Sequence, residues 1–137
     1  MVFQKIEYSD LNSKQKEIYN FQKLAAILAD YGFNCIKLAD DWLGADFLAY
    51  HKDGTDTLQV QLKGRLTIDK KYMHKNLHIA FPFKDSWCLI PHDELVTLVK
   101  SNTNWLNTSS WLEKGNYHSI SLNSDLLNAV QQYLIPK

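Results

Sequence analysis

The sequence predicts an α/β domain built on a mixed β-sheet flanked by α-helices. Three observations lead there. Residues 13–31 carry apolar side chains at helical spacing between a helix-starting pair, Asn12-Ser13, and a stopping glycine, Gly32. Short apolar runs with turn residues between them then follow from position 34 to position 90, the signature of strands. Two more helix patterns, DELVTLVK and DLLNAVQQYLI, come after these strands.

The elements can be argued in order. The first helix buries a stripe of Ile18, Phe21, Leu24, Ala25 and Leu28. Residues 34–39 form a strand. Residues 46–51 and 57–63 form a hairpin around Asp53-Gly54, a pair that favours tight turns. A basic, less regular segment spans 65–75, with room for a helical turn. Residues 77–83 and 87–90 are two further strands joined at Lys84-Asp85. His92 precedes a helix over 93–100 whose first turn holds Asp93 and Glu94, where acids suit the helix dipole. Residues 101–118 are polar and irregular, anchored by Trp105 and Trp111, and 119–122 form a short strand. Asn123-Ser124 cap the last helix, which runs to Pro136.

The 137 residues suit one domain, 1–137, with no repeat or linker. Fifteen basic and fifteen acidic residues cancel, which argues against a nonspecific polybasic binder but leaves room for a local basic patch. Cys35 and Cys88 sit in apolar runs without zinc-ligand spacing, as expected of two reduced thiols. No segment has the apolar length of a membrane span or a secretory leader, so the expectation is a soluble, cytoplasmic protein with no membrane partner.

The chemistry concentrates in residues 44–65, GADFLAYHKDGTDTLQVQLKGR. Asp46 opens one strand of the hairpin, and Gln61 and Lys63 close the other. Residues two apart on a strand project from one face. An acid, a second oxygen donor and a lysine on adjacent strands can hold a hard divalent cation beside a phosphodiester. Asp40 and Asp41 compete with Asp46 for the acid's role, but Asp46 adjoins the apolar strand FLAY directly.

This layout resembles the PD-(D/E)xK, or restriction-endonuclease-like, nuclease superfamily over roughly residues 14–90. Asp46 matches the motif's first acid and Lys63 its lysine, while LQVQLKGR resembles the strand that carries the (D/E)xK element. Glu17 matches an acid that many members carry on the first core helix. Position 61 is Gln where the family usually has an acid, a Q-x-K variant found in certain homing endonucleases. The resemblance implies a restriction-endonuclease-like sheet and an Mg²⁺- or Mn²⁺-dependent DNA endonuclease. Asp46, Gln61 and Glu17 would be its metal ligands, and Lys63 would stabilise charge. Many members dimerise to cut both strands, so the resemblance leaves a homodimer open.

Arg65, Lys70, Lys71 and Lys75, with Tyr72 among them, form a basic run just after the motif and are candidates for phosphate contact. Plainer readings compete throughout. Asp46 can cap a turn, Lys63 can be a solvated strand end, and Glu17 can serve the helix dipole. A neutral amide at 61 is a weaker ligand than a carboxylate. It also suits a catalytically silent module of the same fold that binds nucleic acid or a protein partner.

Overall fold

The computed structural model describes residues 1–118 and 121–136. Helix α1 spans Ser13–Ala29. Asn12 caps it by accepting from the Gln15 amide at 2.9 Å, and the Gln15 side chain accepts in return from the Asn12 amide at 2.9 Å. This reciprocal box satisfies two donors that a helix start leaves open.

Five strands form the main sheet in the order β1-β2-β3-β5-β6: β1 Phe33–Trp42, β2 Ala45–His51, β3 Thr57–Leu62, β5 Leu77–Phe83 and β6 Ser86–Pro91. Neighbours run antiparallel except β3 and β5, which are parallel. The sheet is therefore mixed, with helices packed on it, as the sequence predicts. β4, Thr67–Asp69, pairs with β7, Asn116–His118, in a separate two-stranded sheet. Helices α2, His92–Asn102, and α3, Ser124–Val130, complete the structure.

Alternation along the strands divides the core between two faces. Leu24 and Leu28 of α1 cover Phe47, Ala49, Val60, Ala80 and Trp87 on one face. Ile79, Phe81, Ile90, Ile68, Tyr72, Leu95, Val99, Leu126 and Val130 fill the other. Each large apolar side chain so buried contributes roughly 1.5–3 kcal/mol.

Several expectations need correction. Ile18 is 39% exposed and Ile27 packs in the core instead, so the helix meets the sheet through Phe21, Leu24, Ile27 and Leu28. The segment after β3 is not irregular: it holds β4 and one turn of 3-10 helix, Lys70–Tyr72. β4 owes its existence to β7, some fifty residues away by register (Thr67 pairs with His118), which no local pattern reveals. α2 begins one residue early, at His92, and ends at Asn102. The 101–118 stretch contains a 3-10 turn, Trp105–Asn107, a π-helical turn, Ser110–Lys114, and β7. Of the strand expected at 119–122, residues 119 and 120 lie outside the described residues, and Ser121 and Leu122 are not in a strand. The last α-helix stops at Val130 and passes into one 3-10 turn, Gln131–Tyr133. Leu134 then bridges to Cys88, and the Ile135 amide donates to the Trp87 carbonyl at 2.9 Å, so the chain lies along the edge of β6 rather than continuing as a helix.

Cys35 and Cys88 are both free. Burial pushes the Cys88 thiol up to about 12, so it packs as a small apolar group. No helix among the described residues is long and apolar enough to cross a membrane.

Candidate functional site

The geometry around Asp46 begins with a turn. Trp42 pairs with Ala45 across Leu43 and Gly44, both at positive φ (52° and 88°). Two-residue turns with both centres left-handed match the twist of antiparallel strands. Gly44 has a second constraint: a Cβ there would lie 3.3 Å from the Tyr72 ring, in a conformation that disfavours side chains. The β1–β2 register also shifts between Lys37 and Trp42, and such irregularities re-aim side chains at strand ends.

Asp46 follows directly. Its Oδ2 accepts from the Leu62 amide at 2.8 Å, so the carboxylate is tied to the backbone between Gln61 and Lys63. Its other oxygen makes no hydrogen bond to a described residue. Burial, aided by the nearby charge of Asp41, holds its pKa above the ordinary carboxylate range. The Leu62 amide, Lys37 and Lys63 pull the other way and do not fully offset it.

Asp46, Glu17 and Lys63 line one cleft of about 370 Å³, with Lys16 and Asn20 of α1 and Lys37 of β1 on its walls. Glu17 is largely exposed there and pairs with Lys14 at 3.2 Å. The Lys63 ammonium sits 5.7 Å from the centre of the Tyr72 ring. Gln61 is placed differently. Its side chain is buried and is not part of the cleft lining. Register sets Gln59 beside Leu77 and Gln61 beside Ile79, on the face away from α1. Oε1 of each glutamine is buried without a hydrogen-bond partner. Buried acceptors of that kind are rare and costly in folded proteins.

Arg65, Lys70, Lys71 and Lys75 are all exposed. Lys70 lies 5.4 Å over the Trp111 ring and Lys71 5.2 Å over Tyr72, with Lys71 also 3.9 Å from Asp69. None of these three lysines lines the Asp46 cleft. Sequence reasoning missed Lys16 and Lys37 as members of the site. Their only signals are the adjacency of Lys16 to Glu17 and the place of Lys37 in the strand that comes to pair with Asp46's own.

Among the described residues, no three His, Cys, Asp or Glu side chains converge as a metal-binding group. The oxygen donors of the cleft are the Asp46 and Glu17 carboxylates, with Asp41 close enough to act on Asp46, whereas the Gln61 amide oxygen is buried on the face away from α1. The carboxylates are hard oxygen donors, which suit Mg²⁺, a cation that keeps several of its own waters. Carboxylate oxygens of this kind are the chemistry of a hydrated divalent cation rather than of zinc. Compared with protein-family models, with curated proteins and with solved structures, the chain matches none.

Proposed function

We propose that this protein is a metal-dependent nuclease of the PD-(D/E)xK type acting on DNA. The observation that carries the reading is the Asp46 carboxylate, withdrawn from water, fixed to the Leu62 amide and facing a cleft shared with Glu17 and Lys63. A half-buried carboxylate whose ionised form is disfavoured is unfavourable for folding alone and suits a site that receives a cation. The order α1-β1-β2-β3 is the context in which the motif carries chemistry, and the restriction-endonuclease-like fold is part of the proposal.

Asp46 would be the main ligand, with Glu17 in support, and the buried Gln61 would not reach the metal without a rearrangement of β3. When bound, Mg²⁺ or Mn²⁺ lowers the pKa of a water and neutralises charge on the scissile phosphate. Lys63 supplies a fixed positive charge where the phosphate gains negative charge, and Tyr72 beneath it limits its wandering. The Leu62 amide keeps Asp46 in one orientation before substrate arrives. Arg65, Lys70, Lys71 and Lys75 would add sequence-independent phosphate contacts at the margin.

Cleavage of plasmid and branched DNA in Mg²⁺ and in Mn²⁺ tests this. Asp46→Ala should abolish metal-dependent cleavage. Lys63→Ala should lower it by roughly 10²-fold while DNA binding persists. One observation favours a second reading, that of a silent module on the same fold: Gln61 is buried away from the cleft lining. Wild-type protein that cuts no substrate, together with a Gln61→Glu variant that gains no metal binding, would replace the nuclease reading with that one.

A further inference from the structure

The Asp46 cleft continues beyond Lys63. It shares Tyr8, Asn20 and Gly64 with a second hollow of about 760 Å³, which runs along α1 to the turn between β5 and β6. A third hollow shares Gly64 and Lys84 with the second and adds Arg65. The three form one continuous groove. Its cations are Lys16, Lys37 and Lys63 near Asp46, then Lys23 and Lys84, then Arg65. Its acids are Glu17, Asp46 and Asp85. In a chain whose charges cancel overall, the groove is a local excess of positive charge, and two of its three acids belong to the proposed metal site.

Aromatic rings accompany the lysines. Tyr8 and Tyr19 meet edge to face at 5.3 Å. Lys16 lies 5.3 Å over Tyr8 and Lys23 lies 5.3 Å over Tyr19, so each ring comes with an ammonium group. Asn20 fixes Tyr8 by donating to its hydroxyl at 3.0 Å. Lys84 donates to Gln131 Oε1 at 2.8 Å, which holds it at the far end. Positive charge along a groove serves a phosphate backbone of any form. Rings within the groove serve only bases whose faces are open, and those belong to an unpaired strand.

The geometry points to single-stranded DNA as the occupant of this groove, with its backbone along Lys16, Lys23, Lys63 and Lys84 and a base against Tyr8 or Tyr19. The inference deepens the nuclease reading and rests on it for the final step: the substrate reaches Asp46 and Lys63 as a flap or overhang rather than as uninterrupted duplex. The path runs from Asp46 along α1 to the β5–β6 turn, and none of Lys70, Lys71 and Lys75 lines it.

The test is fluorescence anisotropy with a labelled oligothymidylate, a blunt duplex and an RNA of equal length, titrated with the full chain across a salt series. Wild type should bind the oligothymidylate about tenfold or more tighter than the duplex. Lys23→Glu with Lys84→Glu, both at exposed positions, should weaken that binding by about tenfold or more and flatten its salt dependence by roughly 0.7 per lost phosphate contact. Tyr19→Leu should weaken it by about fivefold or more. Lys52→Ala with Lys100→Ala, both at exposed positions outside the groove, should cost less than about threefold. Circular dichroism and Tm confirm that each variant is folded. Duplex or RNA bound as tightly as the oligothymidylate overturns the inference, and so does a groove variant that binds like wild type. Cleavage measured on the same samples separates the two readings. Metal-dependent cleavage with unchanged binding by the groove variants removes the groove and spares the nuclease. Loss of single-strand binding in those variants, with no cleavage by wild type, removes the nuclease and keeps the groove.

Discussion

His92 and Asp46 are both withdrawn from water, and Tyr72 connects their surroundings. The Tyr72 ring packs edge to face against His92 at 5.5 Å, and Lys63 from the Asp46 cleft lies over it at 5.7 Å. The two groups are supported very differently. His92 Nε2 accepts from the Asp69 amide at 3.1 Å, which assigns the proton to Nδ1, 3.2 Å from Asp93 Oδ1. Asp93 in turn accepts from the His74 amide at 3.0 Å. Every polar atom of that imidazole is used, and the network fastens the segment after β3 onto α2. Asp46 has one hydrogen bond, opposing charges on both sides, and two orphaned glutamine oxygens on the strand beside it. A satisfied network stabilises a fold, whereas an incompletely satisfied one costs stability and needs a separate reason to persist.

The largest effect that would break this comparison is on stability. His92→Ala should cost about 2–4 kcal/mol in urea unfolding, because it opens a cavity and orphans the Asp69 amide. A cost below about 1 kcal/mol would mean that the network is ornamental.

The pH dependence separates the two groups by sign. Burial lowers the His92 pKa, and that outweighs the pull of Asp93 in the other direction. The unfolded state then takes up the proton more readily than the folded state. The His92 contribution is complete above about pH 6.5 and is lost as pH falls from there towards its depressed folded value. Asp46 has a raised pKa, so the folded state holds its proton more tightly than the unfolded state. Its unfavourable contribution is present above that raised value and disappears below about pH 3.9. Urea unfolding of wild type and His92→Gln between pH 8 and pH 5 should show a decline in wild type that is flatter in the variant. Parallel curves would assign the titration to other groups.

A smaller effect of opposite direction is expected at the cleft. Asp46→Asn keeps an acceptor for the Leu62 amide and removes the disfavoured charge. It should raise stability at pH 7 by up to about 1 kcal/mol, with the gain vanishing below about pH 4. Adding Mg²⁺ should stabilise wild type and not the variant. A variant less stable than wild type at pH 7 without metal would show that the carboxylate serves the fold.

The smallest change is expected at Gln61. Gln61→Met preserves bulk and removes the orphaned oxygen, so stability should shift by less than about 1 kcal/mol in either direction. A loss of 2 kcal/mol or more would show that the amide is satisfied in solution.

The sequence by itself determined the elements whose causes are local. The Asn12 cap, the helical stripe from Phe21 to Leu28, and the turns at Asp53-Gly54 and Lys84-Asp85 are written in neighbouring residues, and each lies where the pattern puts it. The motif resemblance names Asp46, Glu17 and Lys63 as candidates, and all three line one cleft. Tertiary structure decided the rest, because its causes are far apart in the chain. β4 requires β7, and the last helix ends where Leu134 and Ile135 find the edge of β6. Gln61 and Lys63, two apart on paper, part company once β3 ends at Leu62, so one is buried beside Ile79 and the other lines the cleft. Lys16, Lys23 and Lys84 lie scattered through a neutral sequence. They become a single charged groove only when α1 is laid against the sheet, because charge adds up through space and not along the chain.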